Sequence, residues 1–245
     1  MATLTGHPGW RAVWQSKGET PPPLTGDREQ VVKGLMALAG YDSATSSLDP
    51  RTHYVQVRYV LDRLAVRPTD TVYEVGCGAG SMLYSLRPAC AGVGGSDYAE
   101  SLITIAREVL GAEDLTVTGA DEVPPEPVYD VVLSNGVFIY FPDQDYAARV
   151  VHRMVAKARR VVGVLDVNDA DTRAEFEALR RAQPGGGSRR SGELTQLYLE
   201  RDFFRRIADE LGLACRIDES VMTNSANGRY RFNAVLCRPD EPERS

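Results

Sequence analysis

"VYEVGCGAGS", residues 72–81, ends a β-branched run in Gly76, Gly78 and Gly80 and places a carboxylate, Glu74, two residues before the first glycine. A short apolar strand that breaks into glycines suits the first βα turn of a parallel α/β sheet, where ligands sit beyond the carboxyl ends of the strands. Glycine there permits positive φ and lets the backbone approach a ligand with no Cβ in the way. Spacing narrows the ligand. The dinucleotide fingerprint is GxGxxG, with a free helix N-terminus that receives a pyrophosphate. Here the spacing is GxGxG, and Glu74 would repel a diphosphate while attracting a cation. A ligand carrying an ammonium is therefore expected.

Downstream the chain alternates short apolar runs (TVYEV, AGVGG, LTV, YDVVLS, RRVVGVLDV, LACRI, YRFNAVLC) with helical periods, among them residues 100–110 stopped by Gly111, 143–157, and 201–211 stopped by Gly212. Such alternation implies right-handed crossovers and a mainly parallel sheet covered on both faces. Between Ile217 and Tyr230 there is no helical period, only a loop with Asn227-Gly228 as a turn signal. The seventh strand is thus expected to return antiparallel beside the sixth. Upstream, Asp27 and Gln30 have capping-box spacing before a stripe of Val31, Val32, Leu35, Leu38 and Ala39, with Gly40 as the stop. A second helix begins at Asp49-Pro50, where proline suits the first helical position. Residues 1–26, rich in Gly, Pro and Thr and carrying Trp10 and Trp14, read as an arm outside the core. The expected division is an arm and lid helix over 1–48, a catalytic core over 49–240 and a tail over 241–245.

The 245 residues are 43% hydrophobic and 25% charged, an ordinary globular composition. A net charge of −6 argues against coating nucleic acid or an anionic membrane. Cys77, Cys90, Cys215 and Cys237 are scattered, with neither a CxxC pair nor a histidine at metal-ligand spacing, so they are expected to be reduced, mostly buried thiols rather than a zinc site or disulfide frame. No signal layout or membrane-length apolar run appears, and a cytoplasmic, soluble chain is expected.

Further polar groups follow the glycine turn at strand ends. Asp97 closes the second strand, where an acid commonly chelates ribose hydroxyls. Ala120, Asp121 and Glu122 follow the third strand and can border an adenine, with Asp121 accepting from its exocyclic amine. Ser134, Asn135 and Gly136 end the fourth. Ammonium, ribose and adenine together describe S-adenosylmethionine. Each piece has a blander explanation: a tight βα turn, a helix cap at Asp97, a solvated loop at Asp121 and Glu122, or backbone satisfaction by Asn135. It is their joint order along the chain that carries the reading.

With these motifs in place, residues 50–238 resemble the class I S-adenosylmethionine-dependent methyltransferases, through VYEVGCGAG, the Asp97 of GSDYAESLITIARE, ADEVP, YDVVLSNGVFIYFPD and the closing YRFNAVLC. The resemblance implies a Rossmann-like α/β fold with a seven-stranded mixed sheet in the order 3-2-1-4-5-7-6, the last strand antiparallel, and an N-terminal helical lid. It implies a cofactor site of Glu74, Gly76, Cys77, Gly78, Gly80, Asp97, Tyr98, Ala120, Asp121, Glu122, Ser134, Asn135 and Gly136. Glu74 and the glycine loop would surround the methionine moiety, Asp97 the ribose, and Asp121 the adenine. Tyr98 and Ala99 depart from the family, many members of which have an apolar residue and then Ser or Pro there.

Attack on a sulfonium methyl is an in-line displacement, so alignment, water exclusion and at most one base are needed. His53, in the first turn of the helix before strand one, stands at the ligand edge and is the candidate base or substrate hydrogen-bond partner. His152 lies roughly 13 Å down a helix that runs away from that edge and reads as structural. Tyr41, Tyr54 and Tyr140 are alternative donors or aromatic walls. SNGVFIYFP is not the Asn/Asp-Pro-Pro-Tyr type that grips a planar amine, which lowers the case for nucleobase methylation. Arg189, Arg190 and Arg229 lie in loops on the acceptor side and could hold an anionic acceptor such as a carboxylate or phosphate. The function expected is methylation of oxygen or nitrogen on a small molecule, in a biosynthetic tailoring step. The alternatives are a non-methylating protein that binds S-adenosylmethionine and, less favoured by the spacing, a nicotinamide-dependent oxidoreductase. Acceptor identity and oligomeric state are left open.

Overall fold

The computed structural model describes residues 8–42, 48–112, 114–182, 194–222 and 225–239. Seven strands form one sheet: β1 (Thr71–Val75), β2 (Gly92–Asp97), β3 (Leu115–Val117), β4 (Tyr129–Asn135), β5 (Ala158–Asn168), β6 (Ala214–Glu219) and β7 (Arg231–Cys237). Their order is β3-β2-β1-β4-β5-β7-β6, as expected. β1 pairs in parallel with β2 and β4, and β7 lies antiparallel between β5 and β6. The parallel strands all present their carboxyl ends to one edge, so Glu74 on β1, Asp97 on β2 and Asn135 on β4 come together there.

Helices α1 (Pro8–Lys17), α2 (Arg28–Leu38), α3 (Pro50–Arg63), α4 (Ser81–Leu86), α5 (Glu100–Leu110), α6 (Gln144–Lys157), α7 (Arg173–Ala182) and α8 (Arg201–Leu211) complete the described residues. Strand alternation sorts the core into two layers. Val72, Val131 and Leu133 pack with Val57 and Val60 of α3, Leu83 of α4 and Ile103 of α5. On the opposite face Tyr73, Val132, Val162 and Phe232 pack with Val150 and Met154 of α6 and Phe204 of α8. The capping box at Asp27 and Gln30 is formed as read, and Asp49 caps α3 with Pro50 in its first turn.

Glycines in β2 are poor strand formers whose use here is space. A Cβ on Gly94 would stand 2.3 Å from the Tyr129 hydroxyl, and one on Gly95 would stand 2.9 Å from Cys77 Sγ. β2 thus trades propensity for close packing on its neighbours.

Three expectations need correction. The arm is not outside the core: residues 8–17 form a helix and Trp10 is buried. Pro8 starts that helix, and Trp10 and Trp14, four apart, share a face against Tyr140, with ring centroids at 4.6 and 5.2 Å. Asn227-Gly228 does not make a tight hairpin turn. Asn227 keeps a right-handed φ of −87°, and the connection ends in a 3-10 turn over Gly228–Tyr230 whose tyrosine stacks on Phe176 at 5.1 Å. Of the four free cysteines only Cys77 is buried, the others being partly covered. The expected tail falls outside the described residues.

Phe204 is fully buried among Phe138, Phe203 and Phe232. Phe204→Ala is expected to destabilise the fold by about 3–5 kcal/mol, measured by urea unfolding. A loss under about 1 kcal/mol would mean that this aromatic cluster does not anchor α8.

Candidate functional site

The turn after β1 is held from both sides. Gly76 N and Cys77 N donate to the Ser96 carbonyl on β2 at 2.7 and 2.9 Å, and Gly80 N donates to the Cys77 carbonyl at 2.8 Å. Gly76, Gly78 and Gly80 all adopt positive φ, of 77°, 53° and 84°. At Gly76 glycine is required twice over, since a Cβ would also lie 2.5 Å from Val137 on the loop after β4. This contact brings the β1 and β4 loops together.

Asp97 binds this turn to β2. Its Oδ2 accepts from Gly78 N at 3.0 Å and its Oδ1 from Ala99 N at 2.8 Å. The helix cap weighed for Asp97 is not formed, because Ala99 is the N-cap of α5 and no side chain caps it; the carboxylate instead bridges the glycine turn and the Ala99 backbone. Burial pushes Asp97 up to about 6 against the pull of its backbone donors. Glu74 is buried, and its Oε2 receives no hydrogen bond from any described residue. Burial first, and then the charge of Asp97, raise its pKa well above the carboxylate range. No cation is among the groups that shift either carboxylate, so the buried Glu74 and the partly buried Asp97 stand together without a counter-charge from the described residues. Cys77 is buried beside them and its thiol is pushed up by burial and by both acids, which keeps it protonated.

The flanking residues fall around the same edge. Ala120–Glu122 forms a 3-10 turn after β3, with Ala120 buried, Glu122 exposed, and Asp121 Oδ2 at 3.7 Å from Arg149 Nε. Tyr98 lies under the Arg11 guanidinium of α1 at 5.9 Å. Ser134 is fully buried, and Asn135 Oδ1 accepts from Gln56 Nε2 at 3.0 Å. Tyr41 packs edge-on to the His53 ring with centroids at 6.1 Å, and Tyr140 meets the two tryptophans of α1.

His53 is fully buried, with Nε2 at 2.8 Å from Ser85 Oγ. Burial lowers its pKa to about 4, so at neutral pH the ring is uncharged and a weak base. Tyr54 is exposed on the outer face of α3, away from the turn. Arg229 is exposed and lies over Tyr230, whose hydroxyl its Nη2 also reaches. Arg189 and Arg190 lie outside the described residues. Sequence reasoning passed over Gln56, Asp166 and the burial of Trp10. A polar residue one helical turn after His53 was the available signal for Gln56, whereas Asp166 sits inside an apolar strand pattern with nothing to mark it.

A methyltransferase-domain family model matches residues 73–158, which contain the glycine turn, Asp97 and the end of β4. Over residues 73–158 the chain matches a methyltransferase domain, and its strand order agrees with the class I S-adenosylmethionine-dependent fold. An uncharacterized methyltransferase of Schizosaccharomyces pombe is 29% identical to this chain over 109 residues, 42% of this chain and 41% of that protein. The match thus spans less than half of that relative's length. Magnesium protoporphyrin IX methyltransferase from Synechocystis PCC 6803, solved with bound SAH, superposes with a TM-score of 0.52 at 18% identity over 94% of this chain and 92% of its own. DesVI of Streptomyces venezuelae superposes with a TM-score of 0.58 at 14% identity over 87% and 100%. At such identities the likeness carries the fold.

The residues fit the family's cofactor. A buried carboxylate oxygen without a partner, behind a glycine turn whose backbone is open to close approach, suits an amino acid nucleoside with an ammonium and a sulfonium. No helix among the described residues is long and apolar enough to cross a membrane.

Asp97 has a folded pKa raised to about 6, so its contribution to stability is fully present below the unfolded value of about 4 and is lost as pH rises through 6. Urea unfolding of the cofactor-free chain and of Asp97→Asn is expected to show the wild type losing stability relative to the variant over that window. Parallel pH profiles would contradict the burial argument.

Proposed function

We propose that this chain methylates oxygen or nitrogen on a small molecule by in-line transfer from S-adenosylmethionine, in a biosynthetic tailoring step. The observation that carries the reading is the buried, unpartnered Glu74 Oε2 behind the left-handed glycine turn. The cofactor supplies an electrophilic methyl group on a sulfonium. The protein's own work is binding, alignment and exclusion of water.

In this reading Glu74 receives the cofactor's ammonium and Asp97 its ribose hydroxyls. Asp121 lies at the adenine end with Arg149 beside it. Tyr98 and Ala99 depart from the common family pattern, and the cation contact of Arg11 with Tyr98 ties that departure to α1. His53 acts as a neutral hydrogen-bonding ring that holds Ser85 at the start of the pocket wall, consistent with its burial and lowered pKa.

Helices α1 and α2 form the lid. Trp10 Nε1 donates to the Thr195 carbonyl at 2.8 Å, and Ser101 Oγ on α5 donates to the Gln15 carbonyl at 2.7 Å. α1 is thereby latched to the ribose side through α5 and to the acceptor side through Tyr140 and Thr195. Val31, Leu35 and Leu38 of α2 pack on Ala79, Ala99 and Leu102 beside the glycine turn. For acceptor charge, Arg231 offers little to an anion, because it is already matched by Asp166.

Calorimetry separates the readings: S-adenosylmethionine and S-adenosylhomocysteine are expected to bind and NAD not to. Glu74→Gln is expected to weaken S-adenosylmethionine binding by about tenfold or more, the scale of one charge-assisted hydrogen bond. Binding of NAD in place of the nucleosides would sink the proposal, and tight nucleoside binding with no methylated product from any acceptor would leave a binding protein. Because both tryptophans of the chain lie in α1, their emission is expected to shift when S-adenosylhomocysteine binds. An unchanged spectrum would argue that α1 is a fixed wall.

A further inference from the structure

Across the edge from the glycine turn, β5 carries an irregularity. Val164 pairs with Ala234 and Val167 with Phe232, so Leu165 and Asp166 together face the single residue Asn233. Two residues against one make a β-bulge, a device that re-aims a side chain. The residue turned here is Asp166, at a φ of 60°. Aspartate visits that left-handed region more readily than most residues. The bulge is fixed by the fully buried Asn233, whose Oδ1 accepts from Asp166 N at 2.8 Å.

The re-aimed carboxylate borders the loop after β4. Asp166 Oδ2 lies 3.5 Å from where a Cβ on Gly136 would stand. Asp166 Oδ2 pairs with Arg231 Nη1, and the Arg231 side chain is only 9% exposed. That ion pair is incomplete. Asp166 Oδ1 and Arg231 Nε are both buried, and neither meets a hydrogen-bond partner among the described residues. Gln56 Oε1, on the residue that holds Asn135, is in the same condition. A buried polar group left without a partner is costly, more so when charged, unless a ligand satisfies it.

We propose that Asp166 is the acceptor-side anchor of this site: its Oδ1 takes the hydrogen of an acceptor hydroxyl or amine, while Arg231 Nε donates to a lone pair of the same ligand. The proposal rests on the methyltransferase reading and adds the class of acceptor. Arg231 is neutralised by Asp166, and Glu74 and Asp97 add two more carboxylates to this edge, so the local balance disfavours an anion and suits a hydrogen-bond donor. In the reaction the acceptor's lone pair bonds to the methyl carbon in place of sulfur, which keeps the C–S electron pair. The acceptor's proton passes to Asp166 Oδ1. A sulfonium and a carboxylate become a neutral thioether and a carboxylic acid, which removes two charges from a poorly solvated site.

The test uses the full chain saturated with S-adenosylhomocysteine and three probes of matched size: benzyl alcohol, benzylamine and benzoate. Saturation-transfer NMR is expected to detect the alcohol and the amine on the wild type, with benzoate excluded. D166N keeps a side chain that tolerates the left-handed backbone. It is expected to weaken both donors by about tenfold or more and to admit benzoate, because Arg231 has lost its counter-charge. R231Q, a second variant in case D166N does not fold, is expected to tighten benzylamine and still exclude benzoate. Preference of the wild type for benzoate, indifference of all three probes to both variants, or no probe binding at all would overturn the anchor. Failure of S-adenosylhomocysteine to bind the wild type would instead count against the methyltransferase reading, and calorimetry with that nucleoside, expected to be the same for D166N and wild type, keeps the two failures apart.

Discussion

Two carboxylates that meet no cation among the described residues, Glu74 and Asp97, stand at the carboxyl ends of adjacent parallel strands, and the rest of the site is arranged around that electrostatic load. Their strands are in register, with Glu74 opposite Gly95 and Val75 opposite Ser96. A glycine opposite Glu74 leaves space for Cys77, whose sulfur lies where a Cβ on Gly95 would go. Burying a charge without a partner is costly, and both acids respond by holding protons more tightly. A cationic ligand would reverse that cost, which is the basis of the selectivity proposed for a sulfonium amino acid nucleoside over a diphosphate.

Asp97 shows how one side chain links fold and site. By accepting from Gly78 N and Ala99 N it sets the glycine turn against the start of α5. The glycine turn in turn leans on Val137, so the loop after β4 and the polar group at Asn135 are placed by contact with β1's own turn. From there the contacts run through Gln56 on α3, and through Gly136 to the bulge on β5. Cofactor side and acceptor side are thereby parts of one packed edge, closed above by the aromatic contact of Trp10 and Trp14 with Tyr140.

Elements whose signals are local were legible in the chain. The strand order followed from alternation and resemblance together, the capping box at Asp27 from spacing, and the stops at Gly111 and Gly212 from residues that enter the left-handed region freely. Trp10 was misjudged because the composition around it is loop-like, while its burial depends on Tyr140 and Thr195, far along the chain. His53 was correctly placed near the start of α3, yet its full burial against Ser85 came from packing between α3 and α4, which no spacing reveals.

The sequence by itself determined the glycine turn, the acids at the ends of β1 and β2, and so the charge of the ligand, because period, propensity and charge order are properties of neighbours in the chain. Tertiary structure alone decided that Asp166 leaves its strand pattern at a bulge, that Arg231 meets it, and that α1 closes on Tyr140. Each of these depends on pairing between segments dozens of residues apart, where the energy lies in register and packing and no local pattern records it.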